Sequence, residues 1–151
     1  MAHFRRSIQI GAPVQVVFDL HADPRNIARV AAPPAHVQLL PPYDVPLRLG
    51  SVVRVQVALF GLLPQIVETE IVVCDPPHEF ADVQRRGPFR AWRHRHLFRE
   101  IEGGTELTDD VEYELPTALP FRLLGGEAMT GMMENLFAKR QEITKELLAH
   151  R

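Results

Sequence analysis

The sequence holds a single cysteine, Cys74, among 151 residues. That excludes an intramolecular disulfide framework and a cysteine-only zinc site. A chain of this length buries roughly 68–70% of its unfolded surface, so it needs neither staple. An excess of one charge is also lacking: 17 Lys and Arg stand against 19 Asp and Glu, for a net charge of -2. Dedicated nucleic-acid binders are usually strongly basic, so none is expected here. The longest apolar run, Val57 to Leu63, is far short of the roughly 18 residues that span a membrane, and no integral membrane segment is expected. Met1-Ala2-His3-Phe4-Arg5-Arg6 leads into no apolar h-region, so no secretory signal is expected. No Gly-rich phosphate loop, dinucleotide fingerprint or nucleophile elbow occurs. Cys74 reads as a small strand residue rather than a nucleophile. These absences leave one globular domain over residues 1–151, expected in the cytoplasm.

Hydrophobic residues are plentiful at 46%, and so are prolines, at 13. Proline fixes φ and removes a donor, so the clusters at Pro33 to Pro46, Pro76-Pro77 and Pro116 to Pro120 separate regular elements. Phe4 to Ile10 reads as a first strand. Ala12-Pro13 opens a helix with Val14, Val17, Phe18 and His21 at helical spacing. Asp23-Pro24 supplies an N-cap and an N1 proline for a second short helix through Ile27 and Val30. A short strand at Val37 to Leu40 follows. Val53, Val55, Val57 and Leu59 share one strand face; Val67, Thr69, Ile71 and Val73 share another. Phe80 to Arg85 is a shorter strand. Arg90 to Glu102 and Thr105 to Leu115 form a hairpin about Gly103-Gly104. From Phe121 to His150 the spacing predicts one long helix, with Met129, Met132, Met133, Leu136, Phe137, Arg140, Ile143 and Leu147 on its apolar side. Grouped strands closed by one helix predict an α+β fold with an antiparallel sheet.

The hairpin carries the polar chemistry. A turn at Gly103-Gly104 places Glu102 opposite Thr105, Arg95 opposite Glu112 and Arg93 opposite Glu114 on one face. The other face pairs Trp92 with Leu115, His94 with Tyr113, His96 with Val111 and Phe98 with Asp109. That face is the apolar one and is expected to be buried, yet it carries His94, His96, Asp109 and Tyr113. Three roles fit these four residues: a satisfied buried polar cluster, the polar end of a ligand pocket, or acid/base catalysis through a tuned histidine. His94-x-His96 with Asp109 also has the residue types of a metal site, but strand alternation alone often produces His-x-His. No metal and no cofactor is expected. The arginines Arg85, Arg86, Arg90, Arg93, Arg95 and Arg99 read as a solvated face, since no aromatic residues interleave to stack bases. Phe60-Gly61-Leu62-Leu63-Pro64 is an apolar hairpin tip, packed on the terminal helix or touching a membrane transiently.

The order of elements resembles the START-like superfamily (SRPBCC), with its helix-grip fold, over essentially the whole chain. Ser7-Ile8-Gln9-Ile10-x-Ala12-Pro13 followed by Val16-Val17-Phe18 is similar to its first strand and helix. Phe80-x-Asp82-x-Gln84-x-x-Gly87-Pro88-Phe89-x-x-Trp92-x-His94-x-His96-x-Phe98 and Gly104-Thr105-x-Leu107-x-Asp109-x-Val111-x-Tyr113-x-Leu115-Pro116 resemble one bacterial branch of it. The resemblance implies a curved antiparallel sheet of about seven strands gripping the terminal helix, with two short helices after the first strand. It implies a largely apolar cavity between sheet and helix, and adds Asp82 and Gln84 to the inward residues.

The expected function is therefore binding of a small, mostly hydrophobic molecule such as a lipid, polyketide or quinone, as carrier or sensor. The expected ligand-binding residues are Asp82, Gln84, Trp92, His94, His96, Phe98, Asp109, Val111, Tyr113, Met129, Met132, Met133 and Phe137. The alternative is a cyclase, dehydratase or isomerase using His94 or His96 as base, Asp109 to orient it and Tyr113 as donor. A third reading is an interaction module acting through the Arg-rich face, with a salt-sensitive partner.

Overall fold

The computed structural model describes residues 1–59, 62–115 and 125–149. Seven strands form one antiparallel sheet in the order β1-β7-β6-β5-β4-β3-β2. They are β1 (Ala2–Ile10), β2 (Ala35–Leu40), β3 (Val52–Leu59), β4 (Leu62–Asp75), β5 (Glu79–Arg86), β6 (Ala91–Ile101) and β7 (Gly104–Glu114). Between β1 and β2 lie α1 (Val14–Ala22), a 3-10 turn (Pro24–Asn26) and α2 (Ile27–Val30); α3 (Gly126–Ala149) closes the chain. This is the expected helix-grip arrangement. No described helix is long and apolar enough to cross a membrane. The apolar tip at 60–64 and the start expected for the last helix, 121–124, fall largely outside the described residues.

Local chemistry accounts for the short helices. Asp23 caps the 3-10 turn, accepting from the Arg25 backbone N–H at 3.0 Å, and Pro24 occupies the first position. Capping satisfies a donor that has no partner within the turn. On the outer face of the sheet the charges pair across strands: Arg54 with Glu68 at 2.8 Å, Arg95 with Glu79 at 2.9 Å, Arg99 with Glu106 at 3.0 Å, and Arg85 with Glu70.

The β6–β7 register differs from the expected one by two residues. Ile101 pairs with Gly104, so the turn is Glu102-Gly103, with Gly103 at φ 82°. Arg95 therefore faces Asp110 rather than Glu112, Arg93 faces Glu112 rather than Glu114, and Trp92, His94, His96 and Phe98 face Tyr113, Val111, Asp109 and Leu107. An even shift keeps every side chain on its face, which is why the inward set stands although each pair changes. Gly104 also runs close against β1. A Cβ on Gly104 would sit 2.1 Å from the Ile10 carbonyl oxygen, so Gly104 is a close-approach residue within the strand, not part of the turn. Gly104→Ala is expected to cost about 1–3 kcal/mol in urea denaturation, as overpacking does. Gly11→Ala, whose Cβ would meet nothing within 4 Å, is the neutral control. Equal effects from the two would refute the close-approach role.

The core between sheet and α3 is divided. One apolar cluster holds Ile10, Val17, Phe18, Phe80, Phe98, Leu107 and Leu148. The other holds Phe4, Val111, Tyr113, Met129 and Phe137. Along β6, β7 and α3 alike, the inward residues run apolar, polar, apolar. The polar level consists of His94 and His96, Asp109, and Gln141 with Thr144.

Candidate functional site: a buried histidine–aspartate band

The polar level is the candidate site. His94, His96 and Asp109 are each 3% exposed, and Asp82 on β5 is 9% exposed. His94 faces Asp82 across β5–β6, and His96 faces Asp109 across β6–β7. The hydrogen bonds run along the diagonals instead. His94 Nε2 lies 2.6 Å from Asp109 Oδ1, and His96 Nε2 lies 3.2 Å from Asp82 Oδ2. The directly opposed contacts are longer: His94 Nδ1 to Asp82 Oδ2 is 3.9 Å, and His96 Nδ1 to Asp109 Oδ1 is 3.7 Å. The two imidazoles lie over one another, ring centroids 3.7 Å apart and planes tilted by 32°. Phe80 stacks on the far side of His96 at 4.1 Å, and Phe137 meets His94 edge-on at 5.1 Å.

Gln141 reaches the band from α3, and its role is not apparent from the sequence pattern. Its side-chain N–H groups donate to Asp109 Oδ2 at 2.8 Å and to the Arg6 carbonyl at 3.0 Å, tying helix, β7 and β1 together. The observed inward series on α3 is Phe137, Gln141, Thr144 and Leu148, with Ile143 and Leu147 only partly buried. This corrects the expected stripe through Arg140, Ile143 and Leu147 by one position. Hydropathy spacing passes over a glutamine and a threonine even when they face inward.

Electrostatics follow from burial and contact. Burial pushes both carboxyl groups up. The imidazole hydrogen bonds, with the charges of His94, His96 and Arg140, outweigh it and hold Asp82 and Asp109 below the usual carboxylate range. Burial lowers His96 to about 3, and the charge of His94 acts in the same sense. Burial also lowers His21, on α1 beside the band, to about 4, although its Nδ1 bonds the Val17 carbonyl at 2.8 Å. Neutral imidazoles at these positions donate one N–H and keep one bare nitrogen. His96 Nδ1 is that atom: it is buried and has no hydrogen-bond partner among the described residues.

The remaining expected site residues are placed variously. Tyr113 is buried, but its hydroxyl bonds Thr130 of α3 and the residue lies beside Trp92 and Phe4, one level away from the histidine–aspartate contacts. Gln84 grips the Gly87-Pro88-Phe89 turn, donating to the Phe89 carbonyl at 2.7 Å. Phe98 and Val111 lie in the two apolar clusters on either side of the band. Trp92, Phe89, Leu115 and Met133 form a half-buried apolar wall beside Tyr113 and Phe137. Met129 is buried in it, whereas Met132 is 39% exposed and faces away, a correction to its expected place on the wall. Met132 and Met133 flank Met129 on opposite sides, about 60° and about 40° round the helix, and it is the Met133 side that meets the wall.

Two grooves open elsewhere. One, of about 450 Å³, runs between β1 and α3 past Arg6, Ile8, Pro33, Lys139 and Ile143, and reaches Gln141. The other, of about 300 Å³, lies between the end of α2 and strands β2 and β3, lined by Ala31, His36, Gln38 and Gln56 among others. Neither is lined by Met129, Met132 or Met133, nor by His94 or His96.

Among solved structures the chain is similar to protein CV1439 from Chromobacterium violaceum, at 14% identity and TM-score 0.76 over 97% of each chain. It is similar to protein Ms6760 from Mycobacterium smegmatis, at 23% identity and TM-score 0.69 over 99% of this chain and 92% of that one. It also matches the di-domain ARO/CYC StfQ from the steffimycin biosynthetic pathway, at 11% identity and TM-score 0.76, over 99% of this chain and 51% of StfQ. At these identities the likeness is one of fold. No curated protein matches the chain by sequence. Residues 1–148 match the family described as polyketide cyclase / dehydrase and lipid transport, and the chain belongs to that family.

Proposed function

We propose that this protein binds a small, mostly hydrophobic molecule with one polar end, of the lipid, polyketide or quinone class, and acts as its carrier or sensor. The observation that carries this reading is the half-buried wall of Phe89, Trp92, Leu115 and Met133, which continues inward to Phe137 and then to His94. An apolar surface ending on a few convergent polar groups is the usual form of a small-molecule site. The ligand's apolar body packs on the wall, with its polar end directed toward the histidine–aspartate band. Met133 and Met129 adapt to its shape.

Trp92 is the only tryptophan and stands on that wall, so it reports occupancy. Titration with a binding lipid or aromatic polyketide is expected to shift Trp92 emission saturably, and native mass spectrometry of gently purified protein is expected to show an adduct. An adduct-free protein whose Trp92 emission ignores a broad panel of apolar ligands would sink the reading.

One observation favours the enzyme alternative. The 2.6 Å contact between His94 Nε2 and Asp109 has the form of a base oriented by a carboxylate. Against it, both histidines are closed off from solvent. The carrier reading therefore comes first. A recovered ligand that changes in mass on re-incubation with the protein would reverse that order.

A further inference from the structure

Resting on the reading of an apolar ligand on the Trp92 wall, we infer that the ligand's polar end is a carboxylate and that the guanidinium of Arg140, on α3, holds it. A group at the edge of the band must take that end. His94, His96 and Asp109 are closed off from solvent, and the imidazoles and carboxylates are already bonded to each other. Of the described arginines, Arg95 and Arg140 alone are half-buried. Arg95 gives its Nε–H to Glu79 at 2.9 Å. The Arg140 guanidinium makes no ion pair and no hydrogen bond among the described residues; its neighbour is the Phe137 ring, whose centre lies 5.6 Å from the guanidinium carbon. A guanidinium carries five N–H donors and keeps its charge. Half-burial removes part of its water without supplying acceptors. A carboxylate placed there gains a two-pronged, charge-assisted contact.

The helix sets Arg140 at the end of the wall. It follows Met133 by seven residues, which leaves the two about 20° apart round the helix and about 10 Å apart along it. Met133 and Phe137 belong to the wall, so Met133, Phe137 and Arg140 descend one flank of α3. Phe137 in turn lies 6.3 Å from Trp92 and 5.1 Å from His94, ring centre to ring centre. An apolar body on Trp92 and Met133 therefore meets a cation where the wall gives way to the band. Gln141, one residue on, turns to the other side and serves the Arg6 carbonyl of β1. The charge of Arg140 reaches Asp82 on β5, Asp109 on β7 and His21 on α1, helping to hold both carboxyl groups and that imidazole low. Neither aspartate is its ion-pair partner, because each accepts from an imidazole instead, and the guanidinium fork stays open. The two aspartates also repel an anion at longer range, which favours a singly charged head over a dianionic phosphate.

Trp92 emission reads the test, with the full-length protein at neutral pH, where a carboxylic acid is ionised. Two pairs of probes are titrated: decanoate against decanol, and naphthoate against its methyl ester. In at least one pair the acid is expected to bind the unmodified protein about tenfold or more tightly than its neutral partner. Added salt is expected to reduce that preference, and decyl phosphate to bind more weakly than decanoate. Arg140→Gln is expected to bring acid and neutral partner together while leaving the neutral affinity as it was, which also shows that the variant is folded. Arg140→Lys is expected to keep part of the preference, since the charge remains without the fork. Equal affinities within both pairs in the unmodified protein, or an acid preference that survives in Arg140→Gln, overturn the carboxylate assignment and leave the small-molecule reading standing. A phosphate that binds more tightly than decanoate overturns it too. Binding of none of these probes also overturns it, and the small-molecule reading then falls only if the wider panel of apolar ligands fails as well.

Discussion

Asp109→Ala is expected to destabilise the protein by about 3–5 kcal/mol in urea denaturation, the largest effect of any single substitution in the polar band. Asp109 accepts from His94 at 2.6 Å and from Gln141 at 2.8 Å. Alanine removes both acceptors together and strands two buried donors, and each stranded donor costs about 1–3 kcal/mol. The loss also spreads, because Gln141 ties α3 to the β1 backbone at Arg6 through the same amide. Asp109→Asn keeps the shape and one acceptor oxygen but loses the charge. It is expected to cost about half as much. A loss below about 1 kcal/mol for Asp109→Ala would show that the band relaxes around the missing carboxylate, and that it does not hold helix and sheet in register.

Acid is expected to unfold the protein in two stages, the first driven by buried histidines. His21 moves from an ordinary value of 6.5 to about 4 in the folded protein. A lowered folded value means that the native state holds fewer protons than the unfolded one between those limits. The stability this gives is complete above about pH 6.5 and falls as the pH drops toward 4. His96, lowered from 6.5 to about 3, acts with the same sign over a wider window. Each group contributes at most about 1.4 kcal/mol per pH unit, so together they give a slope of up to roughly 2.7 kcal/mol per unit. The second stage lies below 3.8, where protonation of Asp82 and Asp109 removes what their lowered values contribute. Urea midpoints taken in EDTA from about pH 7 to about pH 4.5 read the first stage directly. His21→Gln, at a residue that bonds the Val17 carbonyl rather than an aspartate, is expected to remove about one proton's share of the slope. A stability that stays flat down to about pH 4.5 would mean that these imidazoles are already hydrated or charged in the folded protein.

The family match supports binding or cyclase-type chemistry in general, and the chain's own geometry orders the alternatives. A carrier needs an apolar wall leading to a polar end, and Trp92, Met133, Phe137 and His94 stand in that relation. An enzyme needs a base within reach of substrate, and here both histidines are closed off from solvent.

The linear pattern determined the element order, the single curved sheet and the inward face of the hairpin. Strand alternation has a period of two, and even a register error of two residues leaves His94, His96, Asp109 and Tyr113 on the same side. The Asp23-Pro24 start was equally legible, because a cap and an N1 proline act over three residues. The pairings were not. Gly103-Gly104 offers two candidate turn positions; in the fold the turn is Glu102-Gly103, and Gly104 lies in the strand close against Ile10 of β1. The band itself was half legible: hydropathy marks polar residues at inward positions but does not say which of them meet. Tertiary structure moved Tyr113 away to Thr130, brought Asp82 in from β5, and supplied Gln141 from α3. Those contacts join residues 14, 17 and 32 positions apart or more, with distances set by sheet curvature and by the rotation of one helix about its axis. A turn of 100° per residue about that axis decides whether Arg140 or Gln141 faces the sheet, and only packing against the sheet fixes it.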